Sequence, residues 1–235
     1  MNDKIQGLVL RINDYKDNDL MLQVITRSNG IISLVGKSSK KITSKQHFYE
    51  GCLYEFLIDY KDNKTIYSIH NSKLVKAYYD LNNTKLFSFK NILFEIILKS
   101  KELVEENTFD NILFVLDKIN DDNQYLLGSL FISYMNKLHG INPNTDECVV
   151  CGSKKVVSIS NNLGGFLCEE HHLPEVIRDV DTLKRFRLIS KANFKDYDVI
   201  KDNKYSLNDF KIIIEFFMNN SSLSLKTYDF YMKVC

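Results

Sequence analysis

Residues 7–41 read GLVLRINDYKDNDLMLQVITRSNGIISLVGKSSKK, and this stretch decides the fold of the N-terminal part of the chain. Apolar residues alternate with other residues in two runs that an Asp- and Asn-rich turn separates, which is typical of half-buried β-strands. The first run contains two alternating sets, Leu8, Leu10 and Ile12 against Val9, Arg11 and Asn13. Ser-Asn-Gly at 28–30 suits the positive φ angles of a tight hairpin before a third run, IISLV. The stretch therefore predicts three successive antiparallel strands.

Two more runs of strand-forming residues follow, CLYEFLIDY at 52–60 and TIYSIH at 65–70. Five short strands within about 75 residues are typical of a small antiparallel barrel. The segment between the third and fourth strands, GKSSKKITSKQH at 36–47, is polar and basic, so we expect a long exposed loop there.

The apolar period changes to a helical one from about Tyr79 onward, and residues 127–138 carry the cleanest helical stripe. His139-Gly140 reads as a helix stop, and Ser206 and Asp209 have the spacing of a capping box. The sequence thus predicts an α+β chain. We expect a five-stranded barrel domain over 1–78 and an α-helical domain over 79–235, with a compact insert at about 146–172.

Composition restricts the class of protein. The chain has 235 residues, of which 44% are hydrophobic, and this excludes an intrinsically disordered chain. No apolar run approaches the ~20 residues of a membrane-spanning helix, and the N-terminus lacks the pattern of a signal peptide. We therefore expect a cytoplasmic protein. The 31 basic residues nearly balance the 30 acidic ones, so the net charge of +1 predicts no partner.

The charge is nevertheless uneven along the chain, because no acidic residue lies between Asp19 and Glu50. The candidate nucleic-acid contacts are the basic residues of this stretch together with one from the first strand: Arg11, Arg27, Lys37, Lys40, Lys41 and Lys45. Clustered cations on a small barrel are typical of a surface that follows a nucleic-acid backbone. A solvated loop in a lysine-rich protein explains the charges equally well. Base-stacking aromatics, if present, would be Phe48, Tyr49 or Tyr67, each of which also fits a barrel core.

The most specific local motif is CVVCG at 148–152 followed by GGFLCEEHH at 164–172. Two residues separate Cys148 from Cys151, and two separate Cys168 from His171, which is the spacing of a paired-knuckle zinc site. One Cys3His set fills all four tetrahedral positions, so the motif favours one structural zinc ion. His172 is an alternative fourth ligand, although His171 has the same spacing as the first pair.

Two other interpretations of this motif are possible. Buried thiols without metal are disfavoured, because three Cys and two His converge on one glycine-containing segment. A catalytic zinc with Glu169 or Glu170 as base lacks the H-E-x-x-H and H-x-E arrangements that place a base beside an open metal position. The sequence therefore predicts no catalytic residue and no enzymatic activity.

Three stretches together resemble the RecO family of bacterial recombination mediators. They are residues 7–41, quoted above, then LHGINPNTDECVVCG with NNLGGFLC, and, more weakly, SLSLKTYDFY at 222–231. The resemblance implies an N-terminal OB-fold that binds DNA and a helical domain that bears a zinc knuckle. The family often has Cys as the fourth ligand, where this chain has His171.

The resemblance also implies a function. Proteins of this family bind single- and double-stranded DNA, promote strand annealing, and act with RecR to help RecA displace single-strand-binding protein. By position, Arg11, Lys37, Lys40 and Lys41 would belong to the DNA-contacting surface. Two alternatives stay open from the residues alone: an RNA-binding or transcription-associated barrel with a zinc ribbon, and a zinc-dependent hydrolase.

Overall fold

The computed structural model describes residues 3–44, 46–59, 64, 66–78, 83–173 and 177–234. The chain divides into two compact units, one formed by residues 1–117 with 227–235 and the other by residues 118–226. The sequence pattern places the domain boundary at residue 78, just after the last strand of the barrel. This boundary stays a prediction. By packing, the barrel groups with the helical residues up to 117 and with the C-terminal helix.

The N-terminal five strands form a closed barrel in the order β1-β2-β3-β5-β4. They are β1 Asp3–Tyr15, β2 Asp19–Thr26, β3 Gly30–Gly36, β4 Cys52–Ile58 and β5 Ile66–Ala77. All neighbouring pairs are antiparallel except β3 and β5, which pair in parallel over 33–35 and 66–68. This topology is that of an OB-fold, so the predicted barrel is confirmed.

A β-bulge in β1 breaks the alternation predicted for the first strand. The register with β2 shifts between Val9 and Arg11, which leaves Leu10 without a partner on β2. As a result Val9 and Ile12, three residues apart, both pack into the barrel core. Arg11 lies opposite Gln23 and is exposed. Bulges re-aim side chains in this way, and the extra residue turns Arg11 away from the core.

The remaining elements of the first unit are helical. They are α1 Thr84–Lys99, a single 3-10 turn Lys101–Leu103, α2 Glu106–Lys118 and the C-terminal helix α7 Lys226–Val234. The buried carboxylate of Glu95 on α1 accepts hydrogen bonds from the backbone N–H and hydroxyl of Thr227, at 2.8 and 2.6 Å. Phe89 also packs edge-on against Tyr231. These contacts cap the start of α7 and hold it on α1.

The second unit is helical around a small hairpin. It contains α3 Gln124–Leu138, β6 Val156–Ser160, β7 Gly165–Cys168, α4 Val180–Lys191, α5 Tyr197–Ile200 and α6 Leu207–Ser221. Helix α3 is fully buried along most of its length and packs chiefly against α6. The β6-β7 hairpin carries the cysteine-rich insert. None of the described helices is long and apolar enough to span a bilayer.

Candidate nucleic-acid interface and metal centre

The outer face of the barrel carries a polar row that crosses three strands. Arg11 on β1 pairs with Gln23 on β2, and Gln23 pairs with Ser33 on β3. Residues in register on adjacent strands present their side chains on the same face. The Gln23 amide donates to the Ser33 hydroxyl at 3.5 Å. The row therefore places one cation and two uncharged polar groups side by side on the outside of the barrel.

Arg27, at the β2-β3 hairpin, forms ion pairs within its own unit. Its guanidinium donates to Asp110 at 2.9 Å, lies 3.6 Å from Glu106, and stacks over the ring of Phe109 at 5.8 Å. All three partners lie on α2. Two carboxylates of α2 already pair with the guanidinium of Arg27. This predicted DNA contact therefore connects the β2-β3 hairpin to α2 in the folded protein.

The acid-free basic loop folds against an acidic hairpin. The ammonium of Lys40 lies 2.9 Å from Asp14, and the backbone N–H of Ser38 donates to Asp19 at 2.8 Å. Asp17 lies in the same β1-β2 turn. The sequence separates these acids from the lysines by about 20 residues, but the barrel brings them together. The basic patch is thus partly neutralised in the folded protein.

Parts of the basic loop are also buried, although its polar composition predicts an exposed loop. Ser39 and Phe48 are buried, and a Cβ on Gly36 would come within 2.7 Å of both side chains. The absence of a side chain at Gly36 therefore lets both ends of the loop pack on the barrel.

Three of the six predicted contacts are exposed and have no ion pair among the described residues: Arg11, Lys37 and Lys41. Lys45 lies outside the described residues. The free cations therefore form a smaller set than the sequence indicates.

The aromatic candidates separate by burial. Phe48 and Tyr67 belong to the barrel core, and the Tyr67 hydroxyl donates to the backbone carbonyl of Lys64 at 2.6 Å. Tyr49 is 52% exposed. Among the three candidates, only Tyr49 offers an exposed ring for stacking.

A polar groove of about 760 Å³ opens on the β2-β3-β5 side of the barrel. Gln23 and Ser33 line it together with two lysines that the sequence analysis missed, Lys64 and Lys101. Lys64 precedes β5, and Lys101 begins the 3-10 turn after α1. Lys64 lies between the fourth and fifth predicted strands, so its place beside the barrel follows from the sequence, whereas no local pattern links Lys101 to the barrel.

The predicted metal ligands converge in the second unit. The sulfurs of Cys148, Cys151 and Cys168 and a ring nitrogen of His171 all lie within 4.8 Å of one another. Cys151 and Cys168 have their sulfurs 3.6 Å apart, and the His171 Nδ1 lies 3.3 Å from Cys168 and 3.8 Å from Cys148. Ligand atoms of a tetrahedral zinc lie about 3.5 to 3.8 Å apart when bond lengths are ~2.3 Å to sulfur and ~2.0 Å to nitrogen. The donor set and its spacing could therefore hold one such ion.

Tight turns produce this convergence from local sequence. The backbone N–H of Gly152 donates to the Cys148 carbonyl, and the N–H of Cys148 donates to Ser153, both at 2.8 Å. Gly152 has φ +73°, a left-handed angle that other residues rarely adopt. On the second knuckle the N–H of His171 donates to the Cys168 carbonyl at 3.1 Å. Each knuckle thus turns both of its ligands to one side.

A close backbone approach joins the two knuckles. A Cβ on Gly165 would lie 2.3 Å from the carbonyl oxygen of Asn144, so only glycine fits there. The N–H of Phe166 donates to that same carbonyl, and the N–H of Val149 donates to the Phe166 carbonyl, both at 2.9 Å. The first knuckle therefore hydrogen-bonds directly to β7, which leads into the second.

The two histidines have different positions. His171 faces the three sulfurs, whereas the Nδ1 of His172 lies 2.6 Å from the carbonyl oxygen of Glu169, to which it donates. His172 is therefore engaged outside the cluster.

The thiols of the first knuckle differ in acidity. Burial disfavours the Cys148 thiolate, but hydrogen bonds from the backbone of Cys168, Val150 and Cys151 outweigh it and lower the pKa of Cys148 to about 6. The backbone of Ser153 favours the Cys151 thiolate, yet desolvation and the neighbouring sulfurs outweigh it and raise its pKa. Cys148 therefore ionises more readily than Cys151, and the thiolate is the form in which cysteine binds a metal.

Helix α4 supports the entry to the first knuckle. Asp146 accepts from Arg187 and Lys191 of α4 at 2.6 and 2.5 Å, and Arg187 also donates to the carbonyl of Thr145. Lys191 and Arg187 together lower the pKa of Asp146. The insert is therefore attached to the helices of its unit by charged contacts close to Cys148.

Comparison with known proteins finds similarity to one protein family. Residues 1–78 match the family model for the recombination protein O N terminal. A DNA repair protein RecO from Lactobacillus acidophilus is 26% identical over 183 residues, which cover 72% of this chain and 70% of that protein. The RecO proteins of Alkaliphilus metalliredigens and Mycoplasma mycoides are 23% and 24% identical over 92% and 97% of this chain, and over 92% and 94% of their own lengths.

Proposed function

This chain belongs to the RecO family of DNA repair proteins, and from that membership we propose that it is a recombination mediator that binds DNA without sequence preference and anneals complementary strands. The single observation that carries the proposal is the exposed set Arg11, Lys37 and Lys41 on an OB-fold barrel. Cations on such a barrel release counterions from phosphates and hold a strand without reading its bases.

Annealing requires no covalent chemistry in this mechanism. The cations screen the repulsion between two phosphate backbones while the bases stay exposed to pair. The protein would act in the cytoplasm with RecR, would engage DNA coated by single-strand-binding protein, and would thereby help load RecA. These partners are proposed from the family alone.

Cys148, Cys151, Cys168 and His171 would hold one zinc ion with a structural role. The zinc would fix the fold of the insert, since four protein donors fill a tetrahedral shell. A zinc-dependent hydrolase would need an open position for water, which a Cys3His set does not leave. Zinc analysis of purified protein, with one equivalent expected, tests this assignment, and a metal-free, fully folded protein would contradict it.

The DNA-binding proposal is tested by the triple variant Arg11→Ala/Lys37→Ala/Lys41→Ala. We expect weaker binding to unrelated single-stranded sequences, with the slope of log K against log salt shallower by about 2, since each single-strand phosphate contact contributes ~0.7. The control is Lys184→Ala/Lys201→Ala with Lys233→Ala, which removes the same charge from three exposed lysines, on α4, directly after α5 and on α7. An unchanged slope in the first variant would exclude this surface.

A strand-annealing assay tests the mediator function. Two complementary oligonucleotides coated with single-strand-binding protein should pair faster when wild-type protein is added, and the triple variant should lose most of that acceleration. Running the assay with complementary RNA strands separates DNA repair from the RNA-binding alternative. Annealing of RNA but not DNA would favour the alternative.

A further inference from the structure

We propose that Cys151 and Cys168 form a modification site for hydroperoxides, which oxidise the two thiols to a disulfide and thereby release the metal from the cysteine cluster. This cluster consists of Cys148, Cys151, Cys168 and His171. The proposal goes beyond DNA binding, and only its metal-release step rests on the zinc site of the proposed function. It divides the four residues into a pair that is oxidised and a pair that is not.

The three cysteines differ in their access to solvent. Cys148 and Cys168 are 2% and 4% exposed, whereas Cys151 is an exposed residue. Val150 precedes it in the first knuckle and is 53% exposed, so this part of the turn lies on the surface of its unit. Oxidation of a cysteine depends on its thiolate character and its exposure, and a metal-bound cysteine is already a thiolate. A small oxidant in solution therefore reaches Cys151 first.

The sulfur of Cys168 is in position to complete a disulfide with Cys151. The two sulfurs lie 3.6 Å apart. A disulfide bond measures about 2.05 Å, so the sulfurs must approach each other by roughly 1.5 Å. Cys168 ends β7, which pairs with β6 and also hydrogen-bonds to the chain before the first knuckle through Phe166 and Asn144. The approach therefore requires movement of the exposed turn around Cys151 more than of β7.

Cys148 is the alternative partner for Cys151, and its hydrogen bonds disfavour it. Its sulfur accepts hydrogen bonds from the backbone of Cys168, Val150 and Cys151, which stabilise a negative charge there. A disulfide would remove that charge and weaken these bonds. In addition, the Cys148 carbonyl accepts from the N–H of Gly152 within the same tight turn. The second knuckle is therefore the favoured source of the second sulfur.

The oxidation proceeds in two balanced steps when the hydroperoxide is hydrogen peroxide. The Cys151 thiolate attacks one peroxide oxygen, the O–O bond breaks, and a sulfenic acid and hydroxide form. The Cys168 thiolate then attacks the Cys151 sulfur, the S–S bond forms, and a second hydroxide leaves. Both hydroxides take up protons. Two electrons thus pass from the two sulfurs to the peroxide, which becomes two water molecules.

The disulfide changes the metal site without disconnecting the two knuckles. Only Cys148 and His171 remain as donors, and two donors do not complete a tetrahedral shell. The new covalent bond joins the same two knuckles that a metal would join. The hydrogen bond from the N–H of Val149 to the Phe166 carbonyl also remains between them. We therefore expect the oxidised insert to lose its metal and keep its fold.

The first experiment treats the purified full chain with hydrogen peroxide in the presence of a zinc-binding dye. Wild type should release one equivalent of zinc. Peptide mass spectrometry, after alkylation of the remaining thiols, should find Cys151 joined to Cys168, and a dithiol reductant with added zinc should restore the starting state. Cys52→Ser is the matched control, because Cys52 is buried in the barrel core and its loss should leave the rate of zinc release unchanged.

The second experiment uses two variants that keep four metal donors, since histidine also binds zinc. Cys151→His removes the exposed thiol, and its zinc release should be at least about tenfold slower than that of wild type. Cys148→His retains the reacting pair, and its zinc release should stay within about twofold of wild type. Zinc content and circular dichroism before treatment check that each variant is loaded and folded.

The outcomes distinguish this proposal from the proposed function. If the purified protein holds no zinc, the zinc assignment fails, and the mass spectrum of the peroxide-treated wild-type chain still tests the disulfide. If zinc is bound but the main product is a disulfide between Cys148 and Cys151, or a sulfinic acid without a disulfide, the proposed pair is wrong. Zinc release from Cys151→His at the wild-type rate would also overturn the proposal.

Discussion

The cysteine cluster and the basic surface of the barrel are both predicted from residue types. In the folded structure the cluster residues come together, whereas the basic residues separate into groups with different surroundings. All four cluster residues lie between positions 148 and 171, and the structure brings their ligand atoms within 4.8 Å. The six predicted cations lie between positions 11 and 45, and they separate into exposed, ion-paired and undescribed members. A ligand set within short turns is determined locally, whereas the availability of a cation depends on which carboxylates the fold brings near it.

The comparison is tested most strongly by changing one histidine at a time. His171→Ala should lose bound zinc and about 3 kcal/mol of unfolding free energy, because the metal then lacks its fourth ligand. That loss corresponds to a fall in Tm of roughly 6–12 °C. His172→Ala is the matched control, and it should keep both zinc and Tm. The reverse pattern, measured by metal analysis and calorimetry, would assign the ligand to His172.

Arg27→Ala tests whether a predicted DNA contact is instead a structural one. We expect it to cost about 1 kcal/mol of stability, since it removes the ion pairs with α2 and the contact with Phe109. The salt dependence of DNA binding should stay at the wild-type value. A shallower salt slope without loss of stability would return Arg27 to the binding surface.

Lys40→Ala and Lys41→Ala give the smallest expected effects and the finest test. Lys40 is paired with Asp14, so its removal should cost less than ~0.5 kcal/mol and leave the salt slope almost unchanged. Lys41 is exposed, and its removal should lower the slope by about 0.7 with no change in stability. Equal effects of the two variants on the slope would mean that the pair with Asp14 opens when DNA binds.

Much of the fold follows from local signals. His139 caps the end of α3, and Gly140 follows with φ +69°, as the stop signal predicts. Ser206 and Asp209 form the expected capping box at the start of α6. These predictions succeed because a cap needs residues only a few positions apart. The extent of β5 was underestimated, since its last residues are exposed and pair with β4 without an alternating pattern.

The sequence by itself determined the barrel, the helical part and the four residues of the candidate metal centre, because alternation, helical period and knuckle spacing act over short distances. Only the tertiary structure decided which cations are available. The bulge at Leu10 turns Arg11 outward, the fold brings Asp14 to Lys40, and the 3-10 turn brings Lys101 to the barrel. Electrostatic pairing depends on distance in space, and the chain separation of these residues carries no information about it.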